Sequence, residues 1–125
     1  DDISVITYGL MLHYCLEAAR GLSDEGISVD VVDLRTLRPL DEETVVASVK
    51  KTGKALIVHE DTKAGGIGGE VAAIISECAF DYLDGPVRRV AGPEVPPMPF
   101  SPPLEAKFLP DADRIVDAIR QLAHY

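Results

Sequence analysis

Cysteine is scarce in this chain, and so are positive charge and long apolar runs. Only two cysteines occur in 125 residues, Cys15 and Cys78, and neither belongs to a CxxC pair or lies near a histidine at metal-ligand spacing. That excludes a disulfide scaffold and a thiolate metal site, leaving two free thiols, each expected on the buried side of a helix in a reducing compartment. Lysine and arginine number 12 against 21 aspartates and glutamates, for a net charge of −9. Such a surface repels nucleic-acid phosphates and suits either plain solubility or a basic partner. No apolar run approaches the roughly 20 residues of a membrane span. The opening DDISVITYG enters a strand-like run without the basic and apolar regions of a signal peptide. A soluble protein of the bacterial cytoplasm is expected, with neither nucleic acid nor membrane among its partners.

What is present points to one α/β domain over residues 1–125, large enough for a real core but small for an enzyme that must hold a large cofactor unaided. Residues 31–61 are the most informative. VVDL and ALIV are short apolar runs of buried-strand type. Between them Asp41 can cap a helix whose first turn holds Glu42 and Glu43 and whose last turn holds Lys50 and Lys51, with Gly53 as the stop. Extended along the chain, the same reasoning predicts strands over 3–8, 27–34, 54–60 and 87–92. Helices are predicted over 10–24, 41–52, 69–82 and 111–124. Inward faces are expected at Leu12, Cys15, Leu16, Ala19 and Leu22 in the first helix, and at Val71, Ile74, Ile75, Cys78 and Tyr82 in the third. Repeated β-α units give a three-layer α/β/α fold with a mainly parallel sheet of about four strands.

Residues 92–110 hold seven of the nine prolines and cannot form interior strand or helix. They are expected to run extended over a surface, their apolar side chains packed on the sheet or on a partner, before Asp111 caps the last helix.

Ligands of such sheets lie at the carboxyl ends of the strands, where the winding reverses, and here Tyr8, Gly9, His59, Glu60 and Asp61 would meet. A histidine beside carboxylates suits general acid-base work, but consecutive strand residues point in alternate directions and cannot all converge on one atom. A polar strand end that caps a helix or meets a subunit is the preferred reading. The AGGIGGE run, with Gly65, Gly66, Gly68 and Gly69, could meet an anion at a helix N-terminus, yet it matches neither G-x-G-x-x-G nor a phosphate loop, so a tight turn is preferred. Arg35 and Arg38 could bind phosphate or carboxylate, but Asp33, Asp41, Glu42 and Glu43 are near enough to pair with them. His13 and His124 have no companions and read as surface or interface groups. From residues alone there is no convincing active site, and no catalytic, cofactor-binding or metal-ligating residue is assigned.

At DLRTLRPLDEETVVASVKKTGKALIVHED, with LEAA at 16–19, FDYLDGPVRRVAGPE at 80–94 and the proline-rich tail, the chain resembles the C-terminal domain of the β subunit of thiamin diphosphate-dependent 2-oxo-acid dehydrogenases, a relative of the transketolase C-terminal domain. HEDTKAGG is more similar to the branched-chain (2-oxoisovalerate) group than to the pyruvate group. The resemblance implies strand order 2-1-3-4 and a part of an oxidatively decarboxylating α2β2 heterotetramer that passes an acyl group to a lipoyl arm. Thiamin diphosphate and magnesium would be held outside this domain, which alone is expected to be inactive. Its implied partners are its own N-terminal domain, a second β subunit, the α subunit and the basic peripheral subunit-binding domain of the acyltransferase core. Asp84 in the LDGP turn and the carboxylate of Tyr125 are the implied acidic contacts. The extra proline of EVPPMPF departs from the family pattern and leaves the path around Pro96 and Pro97 open. The family's first, antiparallel strand would precede Asp1, so residues 27–34 are expected at an open edge of a chain cut from a longer one. Two alternatives remain: the equivalent domain of a transketolase or deoxyxylulose phosphate synthase, and a free-standing domain binding an anion or small molecule.

Overall fold

The computed structural model describes residues 1–36, 40–63, 65–92 and 112–125. The chain alternates β1 (Ile3–Thr7), α1 (Met11–Ser23), β2 (Val29–Asp33), α2 (Glu42–Thr52), β3 (Ala55–Thr62) and α3 (Ile67–Cys78). A single 3-10 turn at Phe80–Tyr82, β4 (Arg88–Gly92) and α4 (Ala112–Ala123) complete it. All strand pairs are parallel and the order is β2-β1-β3-β4, as the sequence led one to expect.

The capped crossover unit forms for the anticipated reasons. Asp41 accepts the Thr44 amide at 3.1 Å, and α2 stops at Gly53, whose φ of +78° only glycine adopts without strain. Apolar residues on alternate sides of β1 and β3 then set the layers. Ile3, Val5, Leu56 and Val58 pack against Met11, Cys15, Ala18 and Leu22 of α1 and Ile115, Ile119 and Leu122 of α4. On the other face Ile6, Val32, Ala55 and Ile57 pack against Val45 and Val49 of α2 and Val71 and Ile75 of α3. No helix among the described residues is long and apolar enough to cross a membrane.

Three expectations are corrected. The buried stripe of α1 runs through Met11, Cys15, Ala18 and Leu22, leaving Leu16 exposed and Leu12 and Ala19 only half-buried. A helix so rich in small and apolar residues offers two overlapping stripes, and docking on the sheet selects the one that starts at Met11. Cys78 is exposed rather than buried, because the chain leaves helical geometry at Ala79 (φ −132°, ψ 12°) and Ala79 takes the inward place. Tyr82 falls in the 3-10 turn instead of on α3 and is 50% exposed, with the Lys50 ammonium 5.0 Å from its ring centre. The proline-rich segment 93–110, the Asp111 cap and Arg38 lie outside the described residues.

One polar feature of the central strand requires compensation. Ser4 of β1 is fully buried beneath α2, and its hydroxyl meets Ser48 Oγ at 2.6 Å and Thr52 Oγ1 at 2.8 Å. Ser48 in turn donates to the Asp30 carboxylate of β2, which Lys51 approaches at 3.2 Å. Burial alone would push the Asp30 pKa up, but the Ser48 hydroxyl and the Lys51 ammonium together outweigh it and hold the group below the ordinary carboxylate range. A carboxylate lowered in the native state contributes stability that is present above its unfolded pKa and is lost as pH falls through the native value. Asp30→Asn is therefore expected to flatten the acid limb of the stability curve in urea titrations at successive pH values. An acid limb identical to wild type would show that the ladder carries no charge-linked stability.

Candidate functional site

The carboxyl ends of β1 and β3 lie side by side, as the register pairing Thr7 with Val58 requires, and this brings Tyr8 next to His59. Their rings stack with centroids 6.4 Å apart and planes inclined by 28°. His59 is fully buried and points toward α3, where a Cβ on Gly68 would stand 2.3 Å from its Nε2 and 2.7 Å from its Cδ2. Helix α3 can approach β3 this closely only because residue 68 is glycine. The reading of AGGIGGE as a turn motif missed this packing role; the available signal was a glycine in the first turn of a helix that follows a strand holding a histidine near its end.

The strand itself is irregular here. Val58 pairs with Val90 but Thr62 pairs with Gly92, so β3 accommodates two more residues than β4 over the same interval. A bulge of this kind re-aims side chains. It spans His59, Glu60 and Asp61, of which His59 turns inward, Glu60 is half-buried, and the Asp61 side chain lies outside the described residues. Gly9, with φ of +63°, turns the chain away from the crevice into α1. Beneath it, burial pushes the Cys15 thiol up to about 12, the neighbouring Thr7 hydroxyl acting in the opposite direction, so this thiol stays protonated at neutral pH and is no nucleophile. Among the described residues no three histidine, cysteine, aspartate or glutamate side chains gather as a metal site. Arg35 pairs with Asp33 at 3.6 Å on the surface, and His13 and His124 are exposed. The described part of the crevice is thus filled by packed rings.

The other candidates meet at the amino end of the sheet. The Asp84 amide donates to Gly53 O at 2.7 Å, and its carboxylate lies over Gly53, where a Cβ would come within 2.3 Å of Oδ2. Gly85, next in the chain, lies under the Tyr125 ring; a Cβ there would be 3.1 to 3.4 Å from it. Asp84 thus lies against Gly53, and Tyr125, far away in sequence, against Gly85, the residue that follows Asp84. No ion pair or hydrogen bond reaches the Asp84 carboxylate among the described residues. It sits beside the C-terminal end of α2, where the helix dipole disfavours negative charge. Beyond Gly85 a groove of about 960 Å³ opens between α3, the 3-10 turn and Tyr125, with Phe80 and Asp81 on its wall. Phe80 is 70% and Tyr125 67% exposed.

An open, all-parallel three-layer sheet whose winding reverses between β1 and β3 defines a class of α/β domains rather than one activity. The family model of the transketolase C-terminal domain matches residues 1–115, and the chain belongs to that family. It is 54% identical over 126 residues to the 2-oxoisovalerate dehydrogenase subunit beta of Bacillus subtilis (strain 168), covering 100% of this chain and 38% of that protein. To the mitochondrial pyruvate dehydrogenase E1 component subunit beta of Dictyostelium discoideum it is 42% identical over 121 residues, covering 97% of this chain and 34% of that protein. Among solved structures it is similar to a split-gene transketolase in an inactive β4 tetramer, with a TM-score of 0.84 and 32% identity over 98% of this chain and 39% of that one. The chain thus spans little more than a third of the length of the curated relatives it matches.

The contact between His59 and Gly68 yields a paired test. Gly68→Ala is expected to lower unfolding free energy by about 1 to 3 kcal/mol, because the imidazole is hemmed in and must move. Gly69→Ala, whose Cβ would meet only Arg89 Nη1 at 3.7 Å, is expected to be neutral or slightly stabilising. Equal effects in denaturant unfolding would remove the special role of residue 68.

Proposed function

We propose that this chain is the C-terminal assembly and docking domain of the β subunit of a 2-oxo-acid dehydrogenase, the component that oxidatively decarboxylates a 2-oxo acid and transfers the acyl group to a lipoyl arm. The observation that carries this reading is the 54% identity to a 2-oxoisovalerate dehydrogenase subunit beta across the whole chain. The lower identity, 42%, to a pyruvate dehydrogenase counterpart favours 2-oxoisovalerate over pyruvate as the substrate of the full enzyme. Thiamin diphosphate and magnesium belong to parts of the enzyme outside this domain; the packed strand-end crevice, with its protonated thiol, fits a supporting role. In that enzyme the cofactor supplies the carbanion chemistry of decarboxylation. What these residues contribute is a rigid surface.

Its partners are its own N-terminal domain, a second β subunit, the α subunit and the basic peripheral subunit-binding domain of the acyltransferase core. The β4 tetramer of the split-gene transketolase relative lends support to contacts between β subunits. For the last partner, Asp84 and Tyr125 are the contacts. An unpaired carboxylate at a helix C-terminus gains most from an incoming cation, and the net charge of −9 steers a basic partner toward it. The equivalent domain of a transketolase is the second reading, favoured by the TM-score of 0.84, and the sequence preceding Asp1 would discriminate the two. A free-standing anion-binding domain predicts a tight calorimetric signal with phosphate or nucleotides at the glycine run, and none is expected.

Two measurements test the proposal. The 125 residues alone, supplied with thiamin diphosphate and magnesium, are expected to give no decarboxylation of 2-oxoisovalerate or pyruvate, and turnover would refute it. Asp84→Lys in the assembled enzyme is expected to weaken binding of the subunit-binding domain at least tenfold, and more at low salt, while leaving the thermal midpoint unchanged or raised. Unaltered affinity would remove Asp84 from the site.

A further inference from the structure

Helix α1 carries two unlike strips besides the face it buries. Leu12, Leu16 and Ala19 form a side stripe, with Leu16 37% exposed and the other two half-buried, and Ser23 continues it. Next to that stripe His13, Glu17, Arg20 and Asp24, all exposed, recur at spacings of four, three and four and so share one row. Asp24 still belongs to the row because the backbone remains helical there (φ −66°, ψ −20°).

This row is complementary to itself. When α1 is laid antiparallel against a copy, with Glu17 level with the partner's Arg20, His13 also comes level with the partner's Asp24, because both pairs are centred between residues 18 and 19. The same register sets Leu16 between the partner's Ala19 and Ser23, a large side chain over two small ones. Charge and shape thus select one register separately. The ends of the row also oppose the dipole of their own helix, with His13 in the first turn and Asp24 at the C-cap, whereas α2 has acids first and lysines last. An antiparallel partner reverses this, bringing its Asp24 to the N-terminal end of α1. Gly21 lies inside α1 beside Glu17 and Asp24, and a Cβ there would meet nothing within 4 Å. The described packing therefore does not call for a residue that weakens a helix, but a second helix at close range uses the space. Within α1 Glu17 and Arg20 make no ion pair among the described residues, although Asp117 and Arg120 of α4 do at the same spacing, 3.8 Å apart.

We propose that a second copy of this chain docks on α1, the two helices antiparallel about a twofold axis that passes between residues 18 and 19. Glu17 and Arg20 of each protomer meet the partner's Arg20 and the partner's Glu17, and Leu16 rests on the partner's Ala19 and the partner's Ser23. A contact of this kind meets its own image and closes as a dimer. Two 13-residue helices make an interface at the low end of the size range, so association is weak and sensitive to salt. The contact involves α1 alone and is independent of the docking surface around Asp84.

The test is sedimentation equilibrium of the 125-residue chain at concentrations up to about 1 mM, in low and in physiological salt. A monomer-dimer equilibrium that weakens with salt is expected. Glu17→Arg and Arg20→Glu are each expected to weaken self-association about tenfold or more, since like charges then face each other twice in every dimer. Mixed in equal amounts, the two variants are expected to pair with one another, and the chain carrying both substitutions to recover self-association. A mere loss of helix stability would produce neither recovery, and thermal melts confirm that each variant folds. A chain that stays monomeric, a dimer indifferent to both reversals, or reversed chains that fail to pair on mixing would each overturn the antiparallel contact. None of these results bears on the docking of a basic partner at Asp84.

Discussion

Everything in this domain follows from the burial of β1 on both faces. All five of its residues are shut away from water, so helices must cover both sides and any polar group on the strand must find its partner in place. Ser4 is answered by Ser48 and Thr52, which commits α2 to one register above the sheet and carries the ladder out to Asp30. The neighbouring strand β3 meets the same demand at its carboxyl end, where His59 is accommodated only because α3 presents a glycine. On β1 the compensation is a hydroxyl ladder and on β3 it is steric, the room that Gly68 leaves for the imidazole.

That constraint explains what could be read from the sequence. The alternation of apolar runs with a capped, dipole-matched helix specified the β-α order, whereas the strand order 2-1-3-4, which the structure has, was implied only by the family resemblance. Periodicity alone could not choose between the two stripes of α1, since Cys15 and Leu22 belong to both and only contact with Val5 and Val58 decides the matter. Nor could it see that α3 ends at Cys78: the apolar spacing runs on to Tyr82, but no residue there stops a helix until Gly85. The candidate sites were legible to different degrees. Tyr8 and His59 follow from strand adjacency and do meet. The bulge over His59–Asp61 depends on how β4 pairs, and the juxtaposition of Asp84 with Tyr125 depends on where α4 ends; both are long-range facts.

The charge pattern also divides by role. Carboxylates that serve the fold are paired or hydrogen-bonded: Asp30 with Ser48 and Lys51, Asp41 with the first turn of α2, Glu25 with Arg120. Asp84 differs from all of them. It caps nothing, pairs with nothing among the described residues and stands at the end of a helix that would prefer a cation. Such a carboxylate gains from a cation brought from outside, which fits the docking role proposed for it.

The two ends of the sheet thus differ in kind. In open parallel sheets the carboxyl end is where ligands are held, because loops splay apart there and leave a crevice. Among the described residues that end is packed by the stacking of Tyr8 on His59 and the close approach of α3, while Phe80, Tyr82 and Tyr125 are exposed around the LDGP turn. Packed rings at these strand ends stiffen the scaffold from which the turn projects. Such stiffness supports the docking role proposed for the turn, since less ordering is left to be done on binding.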